Sequence, residues 1–162
     1  MRILAALLLL AACSGGKPAD QTEAQDLEAA AIERGLIPDP RDTEIAGLYA
    51  RDTDRICIVP AESGYRIGAY VDYSDGIACS GSGTISRAGD TLRISLGEGD
   101  ACSFDAKLAG GTIVFPGALP EGCGKLCAGR ASLAGLEVER MSESVAEAAA
   151  MRDAGGRRLC GN

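Results

Sequence analysis

No histidine occurs among the 162 residues. That excludes Ser-His-Asp and Cys-His nucleophile systems, and it removes both the commonest metal ligand and the usual proton carrier at neutral pH. Carboxylates, thiols and hydroxyls remain. Carboxylates occur as close pairs at Asp52/Asp54, Asp72/Asp75 and Glu98/Asp100, the residue type for general acid–base work. Each pair falls in a predicted turn, where Asp side chains bond their own backbone. None fits the D-x-[DN]-x-[DN]-G calcium loop. Cys79-Ser-Gly-Ser-Gly83 has the small residues of a phosphate or nucleophile loop. It lacks the Lys-Ser/Thr end of a P-loop and the Gly two positions before Ser of a nucleophile elbow, and its alternation places it within a strand. Cys123 and Cys127 enclose three residues, not the two of thiol oxidoreductases. We expect a chain that is not an enzyme, with no cofactor and no metal.

The thiols point to a compartment. Met1-Arg2 and the apolar run Ile3 to Ala12 form an export signal, too short to span a bilayer as a helix, which takes ~20 residues. Leu10-Ala11-Ala12-Cys13 resembles the lipobox of bacterial lipoproteins. The resemblance implies a diacylglyceryl group on Cys13, cleavage before it, and acylation of the new amine. Under the enterobacterial sorting rule, which this case resembles, Ser14 implies the outer membrane, facing the periplasm. Cys57, Cys79, Cys102, Cys123, Cys127 and Cys160 remain. An even number in an oxidising compartment reads as three disulfides. Six cysteines allow fifteen pairings, and none is preferred.

Cleavage after residue 12 leaves 150 residues, one domain's worth, and loss of Arg2 takes the charge from −7 to −8. Acidity argues against nucleic acid as a partner. Membrane attachment must therefore come from acyl chains, at ~0.8 kcal/mol per buried CH₂. The same charge suits a basic protein partner, and we expect a monomer.

The elements follow from periodicity. Residues 13–20 read as a lipidated tether, and 21–44 as a helical spacer. Asp20-Gln-Thr-Glu23 resembles a capping box, Ala24, Leu27, Ala31 and Ile32 share one helical face, and Gly35 and Pro38 stop the helix. From Ile45 the period becomes two, with apolar and polar residues alternating through 65–71, 77–86, 92–96 and 102–108. Turn signals at Asp75-Gly76, 88–90, 97–100 and Gly110-Gly111 separate them. Ala131 to Glu139 reads as a last strand, bulged at Gly135. An Ala-rich helix follows at about 144–154, ended by Gly155-Gly156, with Arg157-Arg158 solvated. The expected fold class is mainly β: an antiparallel meander over 45–162 closing as a small disulfide-tied barrel or sandwich. Gly81 and Gly83 would let a strand bend. Cys57, Cys79, Cys102 and Cys123 recur every 21 to 23 residues, about two strands and two turns. That spacing predicts one cysteine-rich end, with Cys160 brought back by the terminal helix.

Ile56-Cys-Ile58, Cys79-Ser-Gly81, Ala101-Cys-Ser-Phe104, Phe115-Pro-Gly117 and Gly129-Arg-Ala-Ser-Leu133 resemble small cysteine-rich lipoproteins of Gram-negative bacteria. That resemblance covers residues ~45–140 and implies no activity. The architecture is also similar, at fold level alone, to lipid-anchored lysozyme inhibitors and periplasmic protease inhibitors. The expected function is binding or structural, with the loops bearing Glu98, Asp100, Glu121 and Lys125 as the contact surface. Inhibition of a cationic hydrolase is the alternative.

Overall fold

The computed structural model of the chain describes residues 21–34, 36 and 44–161. The expected signal peptide, Cys13, the expected tether and Asp20 lie outside them. The chain divides into two compact units at Asp42. The first contains α1 (Gln21–Glu33), about 20 Å long at 1.5 Å per residue. Among the described residues no helix is long and apolar enough to cross a membrane.

The second unit is a closed antiparallel barrel. Its strands are β1 (Gly47–Arg51), β2 (Asp54–Pro60), β3 (Tyr65–Asp72), β4 (Ala78–Ala88), β5 (Thr91–Leu96), β6 (Ser103–Ala109), β7 (Thr112–Val114) and β8 (Glu137–Ser142). Each pairs with the next, and β8 returns to β1. The alternating pattern drives closure, because every strand has one apolar face to hide. Ile56 and Ile58, Ile67 and Ala69, Leu92 and Ile94, Ala106 and Ile113 are all buried. Phe104 and Phe115 meet edge to face with centroids 4.8 Å apart. A barrel forms rather than a sandwich because β4 is long enough to serve both neighbours in stagger. It pairs with β3 over 78–85 and with β5 over 83–88. Gly83 sits where the two stretches overlap, and a Cβ there would lie 1.9 Å from the Ser95 carbonyl oxygen. Its requirement is close approach of β5.

An up-and-down barrel sends alternate turns to opposite ends. The chain enters at Glu44–Ala46 at one end, with the 61–64, 89–90 and 110–111 turns. Tyr49 is buried there; its hydroxyl donates to the Ile45 carbonyl (3.0 Å) and accepts from Arg140 Nε (3.1 Å). Burial pushes its phenol up, against the pull of the Arg140 guanidinium. The opposite end, the mouth, collects the 52–53, 73–77 and 97–102 turns and the long 115–136 segment.

Four expectations are corrected. The last strand is Glu137–Ser142, not Ala131–Glu139. The alternation of Ala131 and Leu133 belongs to a plug: Leu133 and Leu136 are buried, and Gly135, at φ 73°, turns the chain into β8. The terminal helix is shorter: α2 (Val145–Ala150), capped by the Ser144 hydroxyl accepting from Glu147 N. Gly155-Gly156 turn a hairpin instead, in which Leu159 N donates to Met151 O (3.1 Å) and Asp153 N to Arg157 O (3.0 Å). Arg157 is not simply solvated. Its guanidinium pairs with Asp153 (2.9 Å), and both bond the Ser80 hydroxyl at 3.2 Å. Helix and hairpin form a strap over the outside of β2 and β3. There Cys57, Val59, Ala148, Met151, Leu159 and Cys160 make a second apolar cluster, so Ile56-Cys-Ile-Val59 is buried on both faces.

The fourth correction concerns the cysteines. Three disulfides form: Cys102–Cys123, Cys79–Cys127 and Cys57–Cys160. Four of the six cysteines gather at the mouth. Cys57 does not: it lies mid-strand in β2, facing outward, and ties the strap to the wall. The regular spacing does not bring it to the mouth, because Cys57 is the fourth of the seven residues of β2, midway between the two ends.

Candidate functional site

The mouth is built by stapling its longest connection to two neighbours. After β7, Phe115 stays in the core and the chain runs to η1 (Glu121–Leu126), a 3-10 helix holding Cys123 and Lys125. Cys123 bridges to Cys102 in the β5–β6 turn, with Cα atoms 4.6 Å apart. Cys127 bridges to Cys79 at the start of β4, at 3.9 Å. Gly122 presses so closely on this turn that a Cβ would lie 2.2 Å from the Ala101 carbonyl oxygen. Leu126 leans over Gly81, its Cδ1 3.0 Å from where a Cβ would be. Gly81 thus makes room for the cap.

The disulfides bring together residues the sequence singled out. Glu98 and Asp100 on the β5–β6 turn and Glu121 and Lys125 on η1 are all exposed, and the Cys102–Cys123 bridge joins their two segments.

The turn carboxylates serve the backbone where bonded. Asp72 accepts from Ser74 N (2.8 Å) and from the Tyr70 hydroxyl (3.1 Å). Thr53 Oγ1 donates to Asp72 O (2.9 Å), and Asp72 N to Asp54 Oδ1 (3.4 Å), stitching the β1–β2 and β3–β4 turns. Burial raises the Asp54 carboxyl, and the Asp52 and Asp72 charges add to the rise against the Asp72 N–H and Arg55. Cys79-Ser-Gly-Ser-Gly83 lies within β4. Among the described residues no group of three or more acids and cysteines is placed to hold a metal ion.

Two clefts open on the mouth, and sequence reasoning found neither. One, of about 310 Å³, lies between η1 and the plug, lined by Leu119, Pro120, Cys127 and Leu133 among others. The second, of about 130 Å³, is lined by Arg51, Asp54, Tyr73 and Glu137. Ser132 and Ala134 border both. The larger is walled by residues 119–134 of one connection and the smaller by residues from Arg51 to Glu137, and no sequence period marks either; in the smaller, Asp54 stood out as one of a turn pair. Comparison with protein-family models, curated proteins and solved structures finds no match to this chain.

Proposed function

We propose that this protein is a lipid-anchored, non-catalytic component of the bacterial cell envelope whose barrel mouth is a docking surface. The observation that carries the reading is the position of the staples. Two disulfides restrain the mouth, while the chain enters the barrel at the opposite end, at Glu44–Ala46. Surface segments held by disulfides lose little entropy on binding. The interior is filled by side chains, which favours a surface function over storage of a ligand within the barrel. A photo-crosslinking residue at Glu98 or Lys125 in the full chain should capture an envelope protein, and one at Arg93 on the barrel wall should not. Equal capture from all three positions would refute the docking reading.

A second reading, inhibition of a basic hydrolase, is favoured by the exposed acids Glu98, Asp100 and Glu121 and by the net charge. Titration against a c-type lysozyme at low and physiological salt tests it. Inhibition that weakens with salt and falls with Glu98→Lys or Asp100→Lys supports it. Unchanged activity at micromolar protein removes it.

A further inference from the structure

Which part of the mouth meets a partner follows from the two clefts, and rests on the docking reading above. Because Ser132 and Ala134 border both, the clefts are neighbours, and they make the two halves of the groove argued for below. The halves differ in chemistry. The larger is walled by Leu119, Pro120 and Leu133, with the Cys127 bridge at its side. Leu119 is half-buried and Pro120 exposed, above the buried Leu133, so this half offers an apolar wall. The smaller has Val71 and Leu136 below, the Tyr73 ring beside, and the carboxylates of Asp54 and Glu137.

Carboxylates outnumber cations around the smaller half. Asp52, Asp72 and Asp75 stand at the adjoining turns beside Asp54 and Glu137. Two arginines face these five acids: Arg51, which lines the same half, pairs with Glu137 at 3.3 Å, and Arg55 donates to the Asp52 and Asp54 carbonyls. Asp54 is half-buried, and burial together with the Asp52 and Asp72 charges works against its ionised form. Tyr73 is 58% exposed, with its hydroxyl 3.5 Å from Ser132 O, so its ring face is available to the stem of a long side chain. An aromatic wall beside carboxylates suits a guanidinium or ammonium on an alkyl stem.

We propose that the groove binds an extended segment of a basic protein partner, with an apolar side chain in the Leu119–Leu133 half and an arginine or lysine in the Asp54–Tyr73–Glu137 half. Side chains two apart in an extended segment point the same way, about 6.5 Å apart, so such a segment can present both to one surface. The acidic tips at Glu98 and Asp100 then steer approach without forming the seat.

The test uses the full chain and a fluorescein-labelled peptide in which leucine and arginine alternate with threonine, beside a counterpart with glutamate for arginine. Anisotropy should show the arginine peptide binding at least about tenfold tighter than its counterpart. Ala134→Trp, at the border common to both halves, and Tyr73→Ser, an exposed change, should each weaken binding at least about fivefold. Circular dichroism confirms that each variant is folded, and Tyr73→Ser stands if Ala134→Trp does not fold. Glu98→Lys and Asp100→Lys should change the affinity less than about twofold at physiological salt. Loss of binding on Glu98→Lys or Asp100→Lys with no effect of Tyr73→Ser overturns the groove but keeps the docking reading. Equal binding of both peptides, or none at ~1 mM, overturns the groove outright, and the crosslinking result then decides the docking reading independently.

Discussion

Gly68 lies on the outer face of β3, under the strap, and a single methyl group there should separate steric cost from backbone cost. A Cβ at Gly68 would sit 2.5 Å from Leu159 Cβ, 2.8 Å from Cys57 Sγ and 3.0 Å from the Leu159 carbonyl carbon. Ordinary carbon contacts begin near 3.5 Å, so about 1 Å of overlap must be relieved. The strap cannot easily lift. Leu159 N is bonded to Met151 O, Cys160 is bridged to Cys57, and Arg66 donates to Cys160 O at 2.6 Å. Gly68→Ala should therefore destabilise the barrel by about 2–3 kcal/mol, as overpacking of a fixed site does. For a domain of this size that lowers Tm by roughly 6–12 °C. Gly81→Ala is the control. Its nearest obstacle is the Leu126 Cδ1 methyl at 3.0 Å, the free end of a side chain that can swing aside, so the change should stay within about 1 kcal/mol. Thermal and urea unfolding of the full chain, followed by far-ultraviolet circular dichroism, measures both. In a Cys57→Ala/Cys160→Ala background the strap is released and one clashing atom is gone. The cost of Gly68→Ala should then shrink by at least about 1 kcal/mol, a coupling a double-mutant cycle reads directly. An equal cost at Gly68 and Gly81, or a Gly68 cost unchanged without the bridge, would refute the clash as its cause.

Cys102→Ala/Cys123→Ala opens the shortest loop, of 21 residues, and should cost about 3 kcal/mol on the chain-entropy model; the same measurement on the Cys57–Cys160 bridge, spanning 103, should give about 5. Asp153 should govern part of the acid limb. Burial works upward on its carboxyl, but the Arg157 N–H, the Ser80 hydroxyl and the Arg157 guanidinium outweigh it and hold it below the usual range. Its stabilisation is therefore present above the ordinary carboxylate value and lost as pH falls through the lowered one; Asp153→Asn should flatten the fall in Tm below about pH 4. Asp54 has the opposite sign, since its raised carboxyl makes ionisation unfavourable to folding, and Asp54→Asn should raise Tm at neutral pH. Unfolding curves across pH that show both variants shifting together would contradict this assignment. Cys13→Ser should abolish palmitate incorporation and release a folded barrel into the soluble fraction; continued incorporation would remove the lipid anchor from the reading.

The sequence by itself determined the class of fold. Period-two alternation over 65–71, 77–86, 92–96 and 102–108, with turn residues between, states which face of each strand is wet, and that information is local. It also indicated that the cysteines would pair, because an even count needs no coordinates. It did not determine the partners, since a disulfide depends on distances in space: Cys57 repeats the spacing of the mouth cysteines yet joins the strap on the wall. Alternation also misled at Ala131–Leu133, where buried and exposed residues alternate because a plug dips into the mouth. Nor could it separate the roles of the glycines, because Gly68, Gly81 and Gly83 each answer to a different neighbour far along the chain. The groove was hidden for a related reason: Asp54 opens β2, Tyr73 lies on the β3–β4 turn, and Leu119 and Ala134 lie on the long segment before β8, with no common period. Closure of the barrel brings those connections to one end, and only long-range packing decides which side chains then share a surface.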